Sequence, residues 1–184
     1  MLKISYTAAL AAISLVWCFV RLLCARKSKG VDWKREARLI LVYVCIIVLV
    51  RFTFFPFFRV DGMIQPLVFD REKVFPFRIN LIPMVNLLDY EVKKESIINV
   101  IGNTAMFIPL GIVWPVVFKR LDTHVKALTA GVLTSLCIEI LQLPFHDRVT
   151  DIDDLLLNSA GFAVGYLVLL LVRHLGSRGK NKRP

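Results

Sequence analysis

Five apolar runs, each long enough to cross a lipid bilayer, constrain this chain more than any other feature. They cover roughly residues 4–24, 37–58, 97–118, 125–145 and 153–175. A membrane helix needs about 20 apolar residues, and its backbone groups must be hydrogen-bonded within the segment because lipid offers no partners. The sequence therefore predicts an all-α integral membrane protein with a bundle of about five transmembrane helices. The hydrophobic share of 57% and the mean hydropathy of +0.64 agree with this prediction.

The lysines and arginines predict which way the bundle faces. They form three blocks, at 25–38, at 119–126 and after the fifth run, and five spans place all three blocks on one side. The positive-inside rule makes that side cytoplasmic, so we expect the N-terminus outside and the C-terminus inside. The connector 59–96 has six basic and six acidic residues, a balance that suits the outer side. Because the charge lies in short juxtamembrane blocks, the expected partner is the bilayer and not nucleic acid.

We expect a single membrane domain over residues 1–184, divided by its spans. Two N-terminal spans occupy 1–58, the outer connector 59–96, a three-span core 97–175 and a basic cytoplasmic tail 176–184. Within the connector, Arg78–Leu88 is too short and too interrupted by Pro83 to span, which predicts an interfacial or re-entrant segment. The four cysteines lie inside the apolar runs without close spacing, so neither a disulfide nor a zinc site is predicted.

Polar side chains inside the apolar runs are the candidate functional residues. A charge at mid-membrane costs about 2.5–3.5 kcal/mol on insertion scales, so its presence requires an explanation. In the predicted orientation these residues fall in the outer half of the bilayer or beside it, where we expect one polar pocket open to the outside. The candidate ligand-binding residues are Arg51, Asn80, Asn99, Asn103, Glu139, Gln142, Arg148, Asp151, Asp154 and Asn158. Ser135 continues the stripe of Glu139.

A purely structural explanation competes with the functional one. Polar side chains also hold membrane helices together, at about 0.6 kcal/mol per hydrogen bond. The sequence predicts close helix packing at Gly161 and Gly165, a small-xxx-small pattern, and a kink at Pro109. Polar residues on four different runs at a similar predicted depth favour a shared site over scattered packing contacts.

Four motifs occur in a fixed order among these residues. They are NLIP (Asn80–Pro83), NVIGNTAMFIPLG (Asn99–Gly111), SLCIEILQ (Ser135–Gln142) and RVTDIDDLLLNSAGFAVG (Arg148–Gly165). Together they resemble the VanZ-like membrane proteins of bacteria, across roughly residues 78–170. The resemblance implies a multi-pass protein of the bacterial plasma membrane, and the founding member of that family confers low-level resistance to the lipoglycopeptide teicoplanin. The candidate residues named above, apart from Arg51, lie in or beside these motifs.

Two functions fit this sequence. The first is binding or shielding, in which the outer pocket holds a lipoglycopeptide or a cell-wall precursor without turnover. The alternative is an integral-membrane enzyme acting on a lipid-linked or peptidoglycan-related substrate. In that case Glu139, Asp151 and Asp154 are the catalytic candidates, as acid–base groups or as ligands of a divalent cation. Asp153 would join only a metal site, because it points about 100° away from Asp154 on a helix. No cofactor is predicted under the binding hypothesis, and the sequence leaves a homo-oligomer open.

Overall fold

The computed structural model describes residues 2–27, 32–55, 60–70, 75–83, 93–145 and 148–180. Within these ranges it is mostly helical, and five helices are long and apolar enough to cross a membrane. The helices are α1 (Tyr6–Lys27), α2 (Trp33–Phe54), α3 (Lys93–Val117), α4 (His124–Gln142) and α5 (Ile152–Lys180). The predicted fold class is confirmed.

The ends of α2 are set by local hydrogen bonding and backbone conformation, which the apolar run alone does not indicate. α2 begins at Trp33, before the apolar run, because the Asp32 carboxylate accepts hydrogen bonds from the backbone N–H groups of Lys34 (3.0 Å) and Arg35 (3.2 Å). It ends at Phe54, since Phe55 precedes a proline and is extended (φ −108°, ψ 141°). The capping residue and the proline therefore set the ends of α2 at Trp33 and Phe54, whereas hydropathy had placed them at 37 and 58.

α3 and α5 form the most extensive helix contact in the described structure. Their backbones approach so closely that a Cβ added to Gly161 would strike the Thr104 carbonyl oxygen, and one added to Gly165 would strike that of Ile108. The predicted small-xxx-small packing is confirmed. α3 continues across Pro109 and Pro115, while the kink expected at Pro109 stays a prediction.

Four short strands, which the all-helical prediction did not include, lie in the segments between and before the helices. They are β1 (Leu2–Ile4), β2 (Leu67–Phe69), β3 (Ile79–Asn80) and β4 (Thr150–Asp151). β1 runs antiparallel to β2, with Lys3 opposite Val68, and β3 pairs with β4. Of the predicted interfacial segment, residues 78–83 are described and include β3, whereas 84–88 lie outside the described residues.

The chain divides into two compact units, each with its own buried residues. Unit 1 comprises Met1–Ile79 and Ile140–Thr150, and unit 2 comprises Asn80–Glu139 and Asp151–Pro184. The buried apolar residues of unit 1 are Val42, Cys45, Leu49, Phe55 and Leu67. Those of unit 2 are Phe107, Leu110, Ala127, Ile138, Phe162, Tyr166 and Leu169.

Candidate functional site

Five of the predicted residues form two hydrogen-bonded sets in unit 2, which we together call the amide–carboxylate cluster. Its members are Asn80, Asn103, Glu139, Asp151 and Asp154. Asn103 Nδ2 donates to Asp154 Oδ1, joining α3 to α5. Asn80 Nδ2 donates to Asp151 Oδ2 at 3.1 Å, and the backbone N–H of Asp151 donates to Glu139 Oε2 at 3.2 Å. Residues far apart in sequence, on three helices and two strands, therefore meet through amide donors and carboxylate acceptors.

Asp151 is fixed in this cluster by the start of α5. The helix begins at Ile152, and Asp151 Oδ1 accepts a hydrogen bond from the backbone N–H of Asp153 at 3.0 Å. This is the geometry of an N-capping residue, and carboxylates are favoured at a helix N-terminus by its partial positive charge. Both oxygens of Asp151 are therefore engaged, one by its own helix and the other by Asn80.

Glu139 is the most buried ionisable member of the cluster. Only 3% of its surface is exposed, and it lies in the last turns of α4. Asp153, on which the metal hypothesis depended, is also buried and lies in the first turn of α5. Among the described residues, no group of three or more histidine, cysteine or acidic side chains has the arrangement of a metal site. What the cluster offers chemically is a set of acceptors and donors suited to hydroxyl and amide groups.

A buried pair extends the polar surface of unit 2 along α4 and α5. Asn158 Nδ2 donates to Ser135 Oγ at 3.0 Å, and both residues are almost fully buried. Asn158 Oδ1 has no hydrogen-bond partner within the described part of the chain. A buried carbonyl-type oxygen without a donor is costly, so Asn158 presents an acceptor that a bound donor can satisfy.

Two other predicted residues bond to the backbone carbonyls at the end of α2, in unit 1. Gln142 Nε2 donates to the Thr53 carbonyl oxygen at 2.6 Å. Arg148 donates twice to the Phe54 carbonyl oxygen, from Nε at 2.9 Å and from Nη2 at 2.6 Å. We call Gln142 and Arg148 the carbonyl-bonded pair. Their acceptors could not have been found from the sequence, because every residue carries a backbone carbonyl.

The remaining two candidates, Arg51 and Asn99, lie outside both the amide–carboxylate cluster and the carbonyl-bonded pair. The Arg51 guanidinium lies over the rings of Tyr6 and Phe52, 5.7 and 5.2 Å from their centroids, and also donates to the Phe55 carbonyl oxygen at 3.4 Å. Arg51 therefore belongs to unit 1, beside the end of α2. Asn99 is exposed, and its side chain makes no hydrogen bond within the described ranges. It stays a predicted ligand-binding residue that the cluster does not include.

Comparison with known proteins gives one match. The family model described as VanZ/LLP1 matches residues 40–173, which include α3, α4, β4 and most of α2 and α5. All ten candidate residues lie within the matched range. No curated protein and no solved structure shows a significant match.

Proposed function

This chain belongs to the VanZ/LLP1 family and is a multi-pass membrane protein, and we propose on that basis that it contributes to resistance against the lipoglycopeptide teicoplanin. It does so by binding a drug-related or cell-wall lipid ligand at the amide–carboxylate cluster, at the outer face of the bacterial plasma membrane. Binding alone suffices, and no turnover of the ligand is required.

The observation that carries this proposal is the convergence of amides and carboxylates from five elements inside a membrane domain. Asn103 and Asp154 are bonded to each other, and so are Asn80 and Asp151. A bound ligand can exchange these bonds for its own at little cost, because each donor and acceptor keeps a partner. Teicoplanin and cell-wall precursors both combine a lipid chain with many hydroxyl and amide groups, which such a surface can recognise.

The strand pairs of unit 1 support the expected arrangement of the connecting segments. β1 precedes α1 and pairs with β2, which follows α2, so the two ends of this helix hairpin lie on one side. Thr150, which follows α4, donates its backbone N–H to the Arg78 carbonyl oxygen at 3.0 Å. These contacts support the expectation, from five spans, that the segments before α1, after α2 and after α4 share a side. The positive-inside rule makes this the outer side.

The test is drug susceptibility in a sensitive Gram-positive host. The wild type and the variants Glu139→Gln, Asn103→Ala and Asn99→Ala are expressed, and teicoplanin and vancomycin susceptibility are compared at equal membrane levels. We expect the wild type to protect selectively against teicoplanin. Glu139→Gln and Asn103→Ala are expected to lose most of that protection, because the first replaces a carboxylate acceptor by an NH2 donor and the second removes the donor to Asp154.

Asn99→Ala is the matched comparison, because it tests a predicted ligand-binding residue that the cluster does not include. It makes the same change as Asn103→Ala on the same helix, four residues earlier, at an exposed position. Retained protection in Asn99→Ala beside loss in Asn103→Ala would assign the effect to the cluster. Absence of protection by the wild type, or equal loss in both asparagine variants, would contradict the proposal.

A catalytic function is the second candidate, and the burial of Glu139 beside Asp151 and Asp154 is what favours it. A buried carboxyl group beside other carboxylates is suited to acid–base chemistry on a lipid-linked substrate. Incubation of the purified protein with a lipid-linked peptidoglycan precursor, with and without Mg²⁺, separates the two candidates. Product formation that Glu139→Gln abolishes while binding persists would establish the enzyme, and binding without product would support the shielding function.

A further inference from the structure

A cavity of about 580 Å³ lies between the end of α1 and the start of α2, far in sequence from the polar residues above. Trp17 and Leu22 of α1 and Trp33 of α2 give it apolar walls, and Arg35 contributes a charged group. Its volume is in the range of about 300–1,000 Å³ that is usual for small-molecule sites. All of its lining residues precede residue 40, where the family match begins. The cavity is therefore a feature of this chain's own N-terminal hairpin.

The charged groups of the cavity are arranged unequally. Arg21 donates to the Glu36 carboxylate from Nε at 3.0 Å and from Nη2, a fork-like ion pair that links α1 to α2 and neutralises both side chains. The Arg35 guanidinium is exposed and has no carboxylate partner within the described part of the chain. The Asp32 carboxylate also lines the cavity, where it accepts hydrogen bonds from the backbone N–H groups of Lys34 and Arg35. An anion in the cavity would therefore find its positive partner in the Arg35 guanidinium, with Asp32 held by the start of α2.

The surrounding sequence strengthens the positive charge. Residues 21–38 contain seven lysines and arginines and two acidic residues, a net charge of +7 − 2 = +5. We propose that this cavity binds the phosphate headgroup of an anionic phospholipid, with the phosphate at Arg35 and the start of an acyl chain between Trp17 and Leu22. Basic clusters beside membrane helices attract anionic lipids, and the cavity gives that attraction a defined position.

The outer surface of α1 provides a path for the acyl chain. The helix buries none of its residues, and large apolar side chains including Leu15, Phe19, Leu22 and Leu23 are exposed. The exposed Trp33 lies at the start of α2, which suits the interface between headgroups and hydrocarbon. A lipid bound with its phosphate at Arg35 keeps its acyl chains in hydrocarbon along α1. This inference does not depend on the proposed function.

Tryptophan quenching by brominated lipids tests the proposal. The full-length protein carrying Trp114→Phe, so that Trp17 and Trp33 alone report, is reconstituted with brominated phosphatidylglycerol or brominated phosphatidylcholine at matched mole fractions. The ratio of the two association constants is then measured. We expect a preference for phosphatidylglycerol of several-fold. We expect it to fall about fivefold in Arg35→Gln, the effect of one cation near an anionic lipid, and to be largely kept in Arg35→Lys.

Lys34→Gln is the matched control, because it removes the same charge from the adjacent residue, which does not line the cavity. A clearly smaller fall in the phosphatidylglycerol preference in Lys34→Gln than in Arg35→Gln supports a defined site. Equal losses in Lys34→Gln and Arg35→Gln, or no preference in the parent protein, would overturn the proposal in favour of diffuse charge. Displacement of the quencher by soluble glycerol phosphate would assign the site to free phosphate and overturn the lipid. Wild-type-like emission and monodispersity of each variant confirm that it is folded.

Discussion

The carbonyl-bonded pair and the amide–carboxylate cluster are both built from polar side chains in membrane helices or beside them, but their partners differ. Gln142 and Arg148 donate to the carbonyl oxygens of Thr53 and Phe54. These two residues end α2, so their carbonyl oxygens accept no hydrogen bond from a backbone N–H of that helix. A membrane protein must satisfy such groups internally. The bonds of this pair to the two carbonyl oxygens are therefore explained by architecture.

The cluster differs, because most of its described bonds do not satisfy the backbone at a helix end. Two bonds of the cluster join one side chain to another, Asn103 to Asp154 and Asn80 to Asp151. They satisfy polar groups that apolar side chains at these positions would not have introduced. The comparison teaches that polar residues in a membrane domain are best sorted by their acceptors. Bonds to the backbone have an architectural explanation, and residues that bond to one another are the stronger candidates for a function.

The largest effect is expected from separating the helices on which the cluster depends. Gly161→Ala places a Cβ against the Thr104 carbonyl oxygen, next to Asn103. The α3–α5 contact must open, so we expect a loss of about 3 kcal/mol of stability, at the upper end for overpacking. Thermal unfolding in detergent measures it.

Gly102→Ala is the control for that experiment. Gly102 also lies on α3 beside Asn103, but a Cβ there would meet nothing within 4 Å. The variant should be neutral or more stable, since alanine favours helix over glycine by up to about 1 kcal/mol. Equal destabilisation in both variants would mean that the close approach does not hold the cluster together.

The second-largest effect on stability is expected at the carbonyl-bonded pair. Arg148→Ala leaves the Phe54 carbonyl oxygen without the two donors it has now, which we expect to cost about 2 kcal/mol. Arg120→Ala, at an exposed loop position, should cost less than about 0.5 kcal/mol. Thermal unfolding gives both values, and teicoplanin protection per folded molecule should be unchanged in each. Lost protection at normal stability would instead make Arg148 a ligand-binding residue.

The sequence predicted the five spans and the close packing at Gly161 and Gly165, and five of its ten candidate residues lie in the amide–carboxylate cluster. Long apolar runs and small-residue patterns are local signals, and they were sufficient for these features. It did not predict the strands, because β1 and β3 are two or three residues long and form only through pairing with distant segments. It also did not predict that Gln142 and Arg148 bond to carbonyls at the end of α2, since a backbone acceptor leaves no trace in residue identity.

A third, smaller effect measures the bond that joins α3 to α5 within the cluster. A double-mutant cycle of Asn103→Ala and Asp154→Ala should give a coupling free energy of about 0.6 kcal/mol, with about 1.7 kcal/mol as the upper range for membrane proteins. The same cycle with Asn99→Ala in place of Asn103→Ala should give no coupling. A coupling near zero in the first cycle would show that the two residues share the cluster without stabilising it, which would leave function as their main role.

The smallest effect is expected from a solvent-exposed ion pair, which gives the lower limit of the comparison. Lys126 Nζ lies 2.7 Å from Asp122 Oδ1 at the start of α4. The hydrogen bond from Lys126, followed by its charge, holds the pKa of Asp122 below its ordinary value of 3.8. Because the folded-state pKa is lowered, the pair stabilises the fold above about pH 3.8, and this contribution is lost as the pH falls through the lowered value.

Asp122→Asn should therefore lower the melting temperature slightly at neutral pH and not at all at the acidic end. The difference should also shrink in high salt, since exposed pairs are screened. Melting curves of both proteins across acidic to neutral pH, at low and high salt, measure it. A difference as large as that of Arg148→Ala would contradict the comparison, because it would mean that exposure to water does not separate weak polar contacts from those that the membrane domain requires.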